Sequence, residues 1–128
     1  MSQAHVLLQT SVGSEADAQR LAEHAVRQRL AACVHIEPIA SVYRWQGQVQ
    51  HDQEWRLGFK TTASRLSELV AALSAIHPYE LPAFYTLAAT PATPEWALWV
   101  QGECGGDLLP RSPHISRCSP ALSPPKIT

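Results

Sequence analysis

One long stretch, residues 33–60, constrains the fold more than any other part of the chain. Both of its halves alternate in residue type as β-strands do, and Gln46-Gly47 lies between them. Because a tight turn needs positive φ, which glycine adopts readily, this dipeptide predicts the tip of a β-hairpin. At about 3.3 Å per residue each arm would be roughly 40 Å long, about twice an ordinary strand. The far half of the hairpin is therefore expected to extend beyond its own domain.

The far end of this predicted hairpin carries large aromatic residues, Tyr43, Trp45 and Trp55. An isolated two-stranded ribbon is marginally stable in water, and exposed aromatic groups and long unpaired edges favour contact with another surface. We therefore interpret the hairpin as the element through which a homo-oligomer assembles. The alternative is a shorter hairpin interrupted at Pro38, with the aromatic residues in an ordinary core.

Length, charge and cysteine content exclude several classes of protein. A chain of 128 residues is one domain, and a net charge of −1 lacks the basic stripe of a nucleic-acid surface. No apolar run is long enough for a membrane span, and the first residues lack the features of a signal peptide. Three widely spaced cysteines do not form a disulfide framework. We expect a cytoplasmic protein without a nucleic-acid or membrane partner.

The other segments add two helices, two strands and a short final helix. The predicted strands are residues 5–10 and 81–88, and the helices begin at Ser14, at Thr62 or Ser64, and at Thr93. The order β-α-β-β-α-β, plus a short C-terminal helix, is that of the α+β ferredoxin-like fold, a split βαβ arrangement. Right-handed crossovers place the first strand beside the third and both helices on one sheet face. The opposite face stays bare and also needs a partner.

The composition changes at Gly102. From there to the end the chain is rich in proline, serine and glycine, without hydrophobic periodicity. This pattern is typical of disordered or loosely docked segments. The expected organisation is therefore a folded domain, residues 1–101, followed by a tail, residues 102–128.

Four motifs follow one another along the folded domain. They are Arg29-Leu-Ala-Ala-Cys-Val34, then Ser41-Val-Tyr-Arg-Trp45 with Gly47, then Glu54 with Lys60-Thr61, and finally His77-Pro-Tyr-Glu80 with Pro82. In this order they resemble the CutA divalent-cation-tolerance proteins over residues 4–101. The resemblance implies a protomer that trimerises through its long hairpins, similar to the PII signalling proteins. It also implies a cytoplasmic role in tolerance of copper and other divalent cations, and no established enzymatic reaction.

The resemblance also implies a copper site, and the chain departs from it. Family members credited with that site have a cysteine near the end of the first strand and a His-His pair before the proline of the His-Pro-Tyr motif. The corresponding residues here are Gln9, Ile76 and His77, so one of the three implied ligands is present. In the implied trimer, the interface residues would be the aromatic residues of the hairpin and of the last helix. They are Tyr43, Trp45, Trp55, Trp96 and Trp99.

Cys33 and His35 form the first candidate metal site. They are two residues apart in a predicted strand, so both side chains project from one face. Thiolate and imidazole are ligands that select copper or zinc over magnesium or calcium. Two ligands are fewer than the four of a closed site, although a trimer axis would triple them. The alternative is that Cys33 is a small buried hydrophobic residue.

His77, Tyr79 and Glu80 form the second candidate cluster, at the end of a predicted helix. The helix C-terminus would favour a cationic imidazole, and Glu80 could orient the His77 ring. In a trimer this loop would meet a neighbouring hairpin, giving a ligand cleft lined also by Trp45 and Lys60. The alternative is a simple helix stop in which Tyr79 packs.

Two further pairs lie on the hairpin. Glu54 and Lys60 are separated by an even number of residues and share a strand face, which suggests either a polar pair or a small grip for charged groups. With a two-residue turn, Glu37 would stand opposite Arg56 and help to set the strand register.

The long hairpin predicts an oligomer, and the resemblance implies that it is a homotrimer that binds a metal ion such as copper and acts in metal tolerance or signalling. No nucleophile with a base, phosphate-binding glycine loop or zinc-hydrolase motif is recognisable. One alternative is a trimeric scaffold or small-ligand sensor with an intersubunit cleft. Another is a small enzyme that uses His77, Tyr79 and Glu80.

Overall fold

The computed structural model describes residues 4–105. In chain order, its elements are β1 (His5–Val12), α1 (Glu15–Arg27), β2 (Cys33–Trp45), β3 (Gln48–Thr62), α2 (Ala63–Ile76), β4 (Tyr85–Ala89) and α3 (Pro94–Glu103). The strands form one antiparallel sheet in the order β2-β3-β1-β4, so the first strand lies beside the third. The predicted α+β, ferredoxin-like order of elements is confirmed.

The β2–β3 hairpin has the predicted tip and register. Gln46 and Gly47 have φ values of 52° and 77°, as the two central residues of a tight hairpin turn require. Strand pairing is continuous from Cys33↔Lys60 to Trp45↔Gln48. The alternative of a hairpin interrupted at Pro38 is therefore wrong, because β2 is an edge strand, where a proline costs no ladder hydrogen bond.

The hairpin extends beyond the rest of the sheet. β1 ends at the pair Val12↔Trp55, whereas β2 and β3 continue to pair as far as Trp45↔Gln48. At about 3.3 Å per residue, this two-stranded part is roughly 20 Å long. The ribbon therefore has no third strand beside it within residues 4–105.

The main core lies between one face of the sheet and helices α1 and α2. The sheet contributes Leu8, Val12, Leu57 and Phe59, all 1% exposed or less. The helices contribute their own buried apolar residues. These are Ala18, Leu21, Ala22 and Ala25 from α1, and Leu69 and Leu73 from α2. Ser14 starts α1 by accepting a hydrogen bond from the Asp17 backbone N–H at 3.1 Å.

The opposite face of the sheet carries no helix from this layer. Strand alternation places Leu7, Gln9, Tyr85 and Leu87 on it, and Tyr85 and Leu87 are each 48% exposed. We call this surface the bare sheet face. Among residues 4–105, α3 covers this face only near His5, which contacts Trp96 and Ala97, so the part that carries Tyr85 and Leu87 is uncovered as expected.

Two boundaries differ from the sequence predictions. The fourth strand begins at Tyr85 rather than at residue 81, since the preceding segment, with Pro82 in it, forms a loop and leaves Leu81 75% exposed. Order also continues past residue 101, because α3 runs through Glu103 and Cys104 is buried beside Val100 and Ala32. The remainder of the predicted tail, residues 106–128, lies outside the described residues. Within residues 4–105, no helix has the length and apolar character needed to cross a membrane.

Candidate functional site

Cys33 and His35 lie at the start of β2, on the bare sheet face. Their strand neighbours Val34 and Ile36 pack against the main core, so alternation turns Cys33 and His35 to the opposite side. Lys60 on β3 is paired directly with Cys33. Its Nζ donates to Cys33 Sγ at 3.7 Å and lies 3.0 Å from Nδ1 of His35. The structure therefore brings the predicted ligand pair together around a lysine ammonium.

Burial and the lysine together set the charge state of this cluster. Burial raises the pKa of the Cys33 thiol, and the Lys60 ammonium partly offsets that increase. For His35, burial lowers the pKa of the imidazole, and the charge of Lys60 lowers it further. A neutral thiol and a neutral imidazole thus accompany one cation.

The other predicted ligand, His77, is held by groups from β1 and from its own loop. Its Nε2 lies 3.0 Å from Thr10 Oγ1, and its Nδ1 accepts the Tyr79 backbone N–H at 3.1 Å. Burial lowers the pKa of this imidazole. The expectation that Glu80 orients the ring is wrong, because both ring nitrogens bond to other groups and Glu80 is exposed.

The two candidate clusters lie on different faces of the sheet. Thr10, the partner of His77, faces the main core together with Leu8, whereas Cys33 and His35 face away from it. Among residues 4–105, no group of three or more His, Cys, Asp or Glu side chains is placed to hold a metal ion. Two of the predicted ligands, Cys33 and His35, therefore lie together in one protomer, and the third, His77, lies at a separate place.

The loop after α2 is also tied to the hairpin. The Tyr79 phenol donates to Glu54 Oε2 at 2.5 Å, and the Ser41 hydroxyl donates to Glu54 Oε1 at 2.6 Å. We call these three residues the hairpin latch. Burial raises the pKa of Tyr79, and the bond to Glu54 raises it further, so the phenol remains a donor.

Glu54 and Lys60 do not pair with each other. They are six residues apart on one extended strand, which at about 3.3 Å per residue separates them by roughly 20 Å. The expectation of a direct pair or a common grip is therefore wrong, and each residue serves a different cluster. The other predicted hairpin pair is confirmed, because Arg56 lies opposite Glu37 and forms a 2.9 Å ion pair with it.

The predicted interface residues occupy three kinds of environment. Tyr43 and Trp45, on the projecting ribbon, are 41% and 47% exposed. Trp55 is partly buried against the main core. Trp96 and Trp99 are partly buried. They pack on a second, smaller cluster that contains the buried residues Val100 and Cys104.

Comparison with known proteins agrees with this fold and these motifs. A family model described as CutA1 divalent ion tolerance protein matches residues 6–103. The chain belongs to this family. The Divalent-cation tolerance protein CutA of Thermus thermophilus is 40% identical over 96 residues, which cover 74% of this chain and 93% of the relative. The family is thus named for tolerance of divalent cations and not for a catalysed reaction.

Solved CutA structures have the same architecture. CutA from Synechococcus elongatus has a TM-score of 0.78 and 38% identity, covering 81% of this chain and 93% of that one. The same protein complexed with a Bis-Tris molecule has a TM-score of 0.74 and 37% identity, covering 80% and 95%. The periplasmic divalent cation tolerance protein CutA from Archaeoglobus fulgidus has a TM-score of 0.76 and 26% identity, covering 78% and 98%.

Some residues of this CutA chain's clusters were absent from the sequence predictions. Ser41 completes the hairpin latch and Thr10 holds His77, but neither lies near its partner in sequence. A polar threonine inside the buried first strand was the available signal for Thr10, since a buried hydroxyl needs a partner. For Ser41 the signal was its position on the same strand face as Ile39, the residue that pairs with Glu54.

The hairpin latch predicts a measurable contribution of Tyr79 to stability. Tyr79→Phe should lower the free energy of unfolding by about 1–2 kcal/mol, because it removes a partly buried hydrogen bond to a carboxylate. Urea denaturation measures this change. Tyr43→Phe is the matched control, since its phenol also bonds to a hairpin carboxylate, that of Asp52, but at an exposed position. Equal effects of the two substitutions would contradict a stabilising latch.

Proposed function

We propose that this CutA family member acts in divalent-cation tolerance as a homotrimer that binds a metal ion, with copper as the ion, and takes part in the metal response or signalling. The observation that carries the proposal is the hairpin ribbon, which projects roughly 20 Å past the end of β1. A two-stranded ribbon of this length needs a second surface, and the bare sheet face of another copy is such a surface.

The apolar surfaces available on each protomer support this assembly. The ribbon presents Tyr43 and Trp45, and the bare sheet face presents Tyr85 and Leu87, each 41–48% exposed. If every ribbon contacts the sheet face of the next copy, the contact is heterologous, and three such contacts can close into a ring. The same closure would bury the unpaired edges of all three hairpins.

The metal part of the proposal rests on Cys33 and His35. Both side chains lie on the bare sheet face. A trimer that covers this face can therefore bring the Cys33–His35 pairs of several protomers towards one ion. The donor set fits a thiophilic cation, because thiolate and imidazole are the ligands that copper and zinc prefer. Both groups already contact one cation, the Lys60 ammonium, which supports a cation-binding role for the pair. His77 remains a separate predicted ligand.

Cytoplasmic function belongs to the same proposal. Cys33 and Cys104 are both buried and neither is in a disulfide. Free buried cysteines suit a compartment that keeps thiols reduced. Such a compartment would also keep the Cys33 sulfur available as a metal ligand.

Copper uptake by the reduced full chain tests the metal role. Native mass spectrometry with substoichiometric copper should show bound copper in the unmodified protein and loss of that copper in Cys33→Ala. Cys104→Ala is the matched control, because Cys104 is a second buried thiol that contacts Thr61 instead of a histidine. Copper uptake that is unchanged by Cys33→Ala would contradict the assignment of the metal to this pair.

A second candidate function is a small-ligand sensor with a cleft between subunits. It is favoured by the Bis-Tris molecule bound to the Synechococcus elongatus relative. The predicted lining is Trp45, Lys60, Tyr79 and Glu80, with Tyr79 already bonded to the hairpin carboxylate of Glu54. If this function holds, Bis-Tris should raise the melting temperature of the protein, and Trp45→Ala should abolish the increase.

A further inference from the structure

The position of Lys60 bears directly on any ion held by Cys33 and His35. Lys60 stands opposite Cys33 in the ladder, and His35, two residues further along β2, projects from the same face. The lysine side chain can therefore reach across towards both groups. Its Nζ lies 3.7 Å from Cys33 Sγ, and 3.0 Å and 3.2 Å from the two ring nitrogens of His35.

A metal ion bound to this pair would lie close to the ammonium, which is beside both groups. An ion bound by both groups must lie about 2.3 Å from the sulfur and about 2.0–2.1 Å from a ring nitrogen. Because Nζ is 3.0 Å from Nδ1 and 3.2 Å from Nε2, an ion bound to either ring nitrogen would lie within about 5 Å of Nζ. The charge of the ammonium would also repel a second cation in this partly buried place. Bound metal and the observed position of Lys60 therefore oppose each other.

We propose that Lys60 is an internal competitor for the Cys33–His35 site, because its ammonium lies beside both groups and must move away before an ion binds. This inference rests on the proposed metal role of the pair. Its consequence is selectivity: an ion that forms strong bonds to sulfur and nitrogen can displace the ammonium, whereas Mg²⁺ and Ca²⁺, which prefer oxygen ligands, cannot. Lys60 would thus set a threshold for metal binding.

Substitution of Lys60 in the full-length, reduced protein tests the proposal, with Co²⁺ as the probe. Thiolate coordination of Co²⁺ gives charge-transfer absorption, so the titration reports binding through sulfur. Lys60→Met removes the cation and should tighten Co²⁺ binding by about tenfold or more, because a like charge within about 5 Å of the ion is lost. Lys60→Arg keeps the charge and should give no such gain. Lys60→Gln, also uncharged, serves if the methionine variant does not fold.

The gain must depend on Cys33, so Cys33→Ala in the Lys60→Met background should remove it. Equal affinity of the unmodified protein and Lys60→Met, an equal gain in Lys60→Arg, or no binding by either uncharged variant would overturn the proposal. Binding by Lys60→Met with none by the unmodified chain would support the inference and contradict the proposed metal function. Binding by the unmodified chain without a further gain in Lys60→Met would contradict the inference and support the proposed metal function.

Discussion

Phe59→Ala should lower the free energy of unfolding by about 3–5 kcal/mol, the range for removing a large aromatic side chain from a packed core. Phe59 is fully buried and lies at the centre of the sheet, paired with Leu8 on β1 and with Val34 on β2. Its loss would leave a cavity that neighbours from three strands and both helices cannot readily fill. Urea denaturation at one fixed protein concentration measures the change, since the stability of an oligomer depends on concentration.

Leu98→Ala is the control for this substitution. Leu98 is 66% exposed on α3, so its truncation should alter the free energy of unfolding by no more than about 0.5 kcal/mol. A Phe59→Ala protein as stable as the Leu98→Ala protein would show that the core between the sheet and the helices does not hold the domain together.

Removing the projecting ribbon should convert the protein into a monomer. Ser41 and Asp52 are directly paired, and they are a hydrogen-bonded pair like Trp45 and Gln48 beside the present turn, so an Asn-Gly turn can replace residues 42–51 and close the hairpin there. The shortened chain should stay folded, because the residues of the main core all lie outside the deleted segment. It should lose assembly, because Tyr43 and Trp45 are removed together with the ribbon. Sedimentation velocity measures the change.

Gln46→Asn is the matched control, since it alters the turn sequence and keeps both arms. Asparagine suits the positive φ of 52° at this position, so the hairpin and the assembly should be unchanged. A shortened chain that sediments as the same oligomer as the control would exclude the ribbon as the contact.

The hairpin could be predicted because its signals are local. The turn at Gln46-Gly47 fixes the register of all later pairs, and the Glu37–Arg56 ion pair follows from that register. The order of strands followed from general rules for crossovers. Each of these features depends on residues that are close in sequence or on the sequence of elements alone.

The clusters could be predicted only in part, because side-chain partners come from distant segments. Strand alternation was enough to place Cys33 and His35 on one face, but it did not indicate that Lys60 lies between them. The pairing of Glu54 with Tyr79 depends on the course of a loop after α2, which no periodic pattern describes. Even spacing placed Glu54 and Lys60 on one strand face, but the six residues from one to the other put them too far apart to be partners.

The central claim is that the chain assembles as a trimer through its hairpins, and the mass of the native assembly tests it most directly. Native mass spectrometry of the reduced, full-length chain should give a mass three times the 14.0 kDa of a single chain. A stable species of 14.0 kDa under the same conditions would contradict the account, because the exposed ribbon and the bare sheet face would then have no partner.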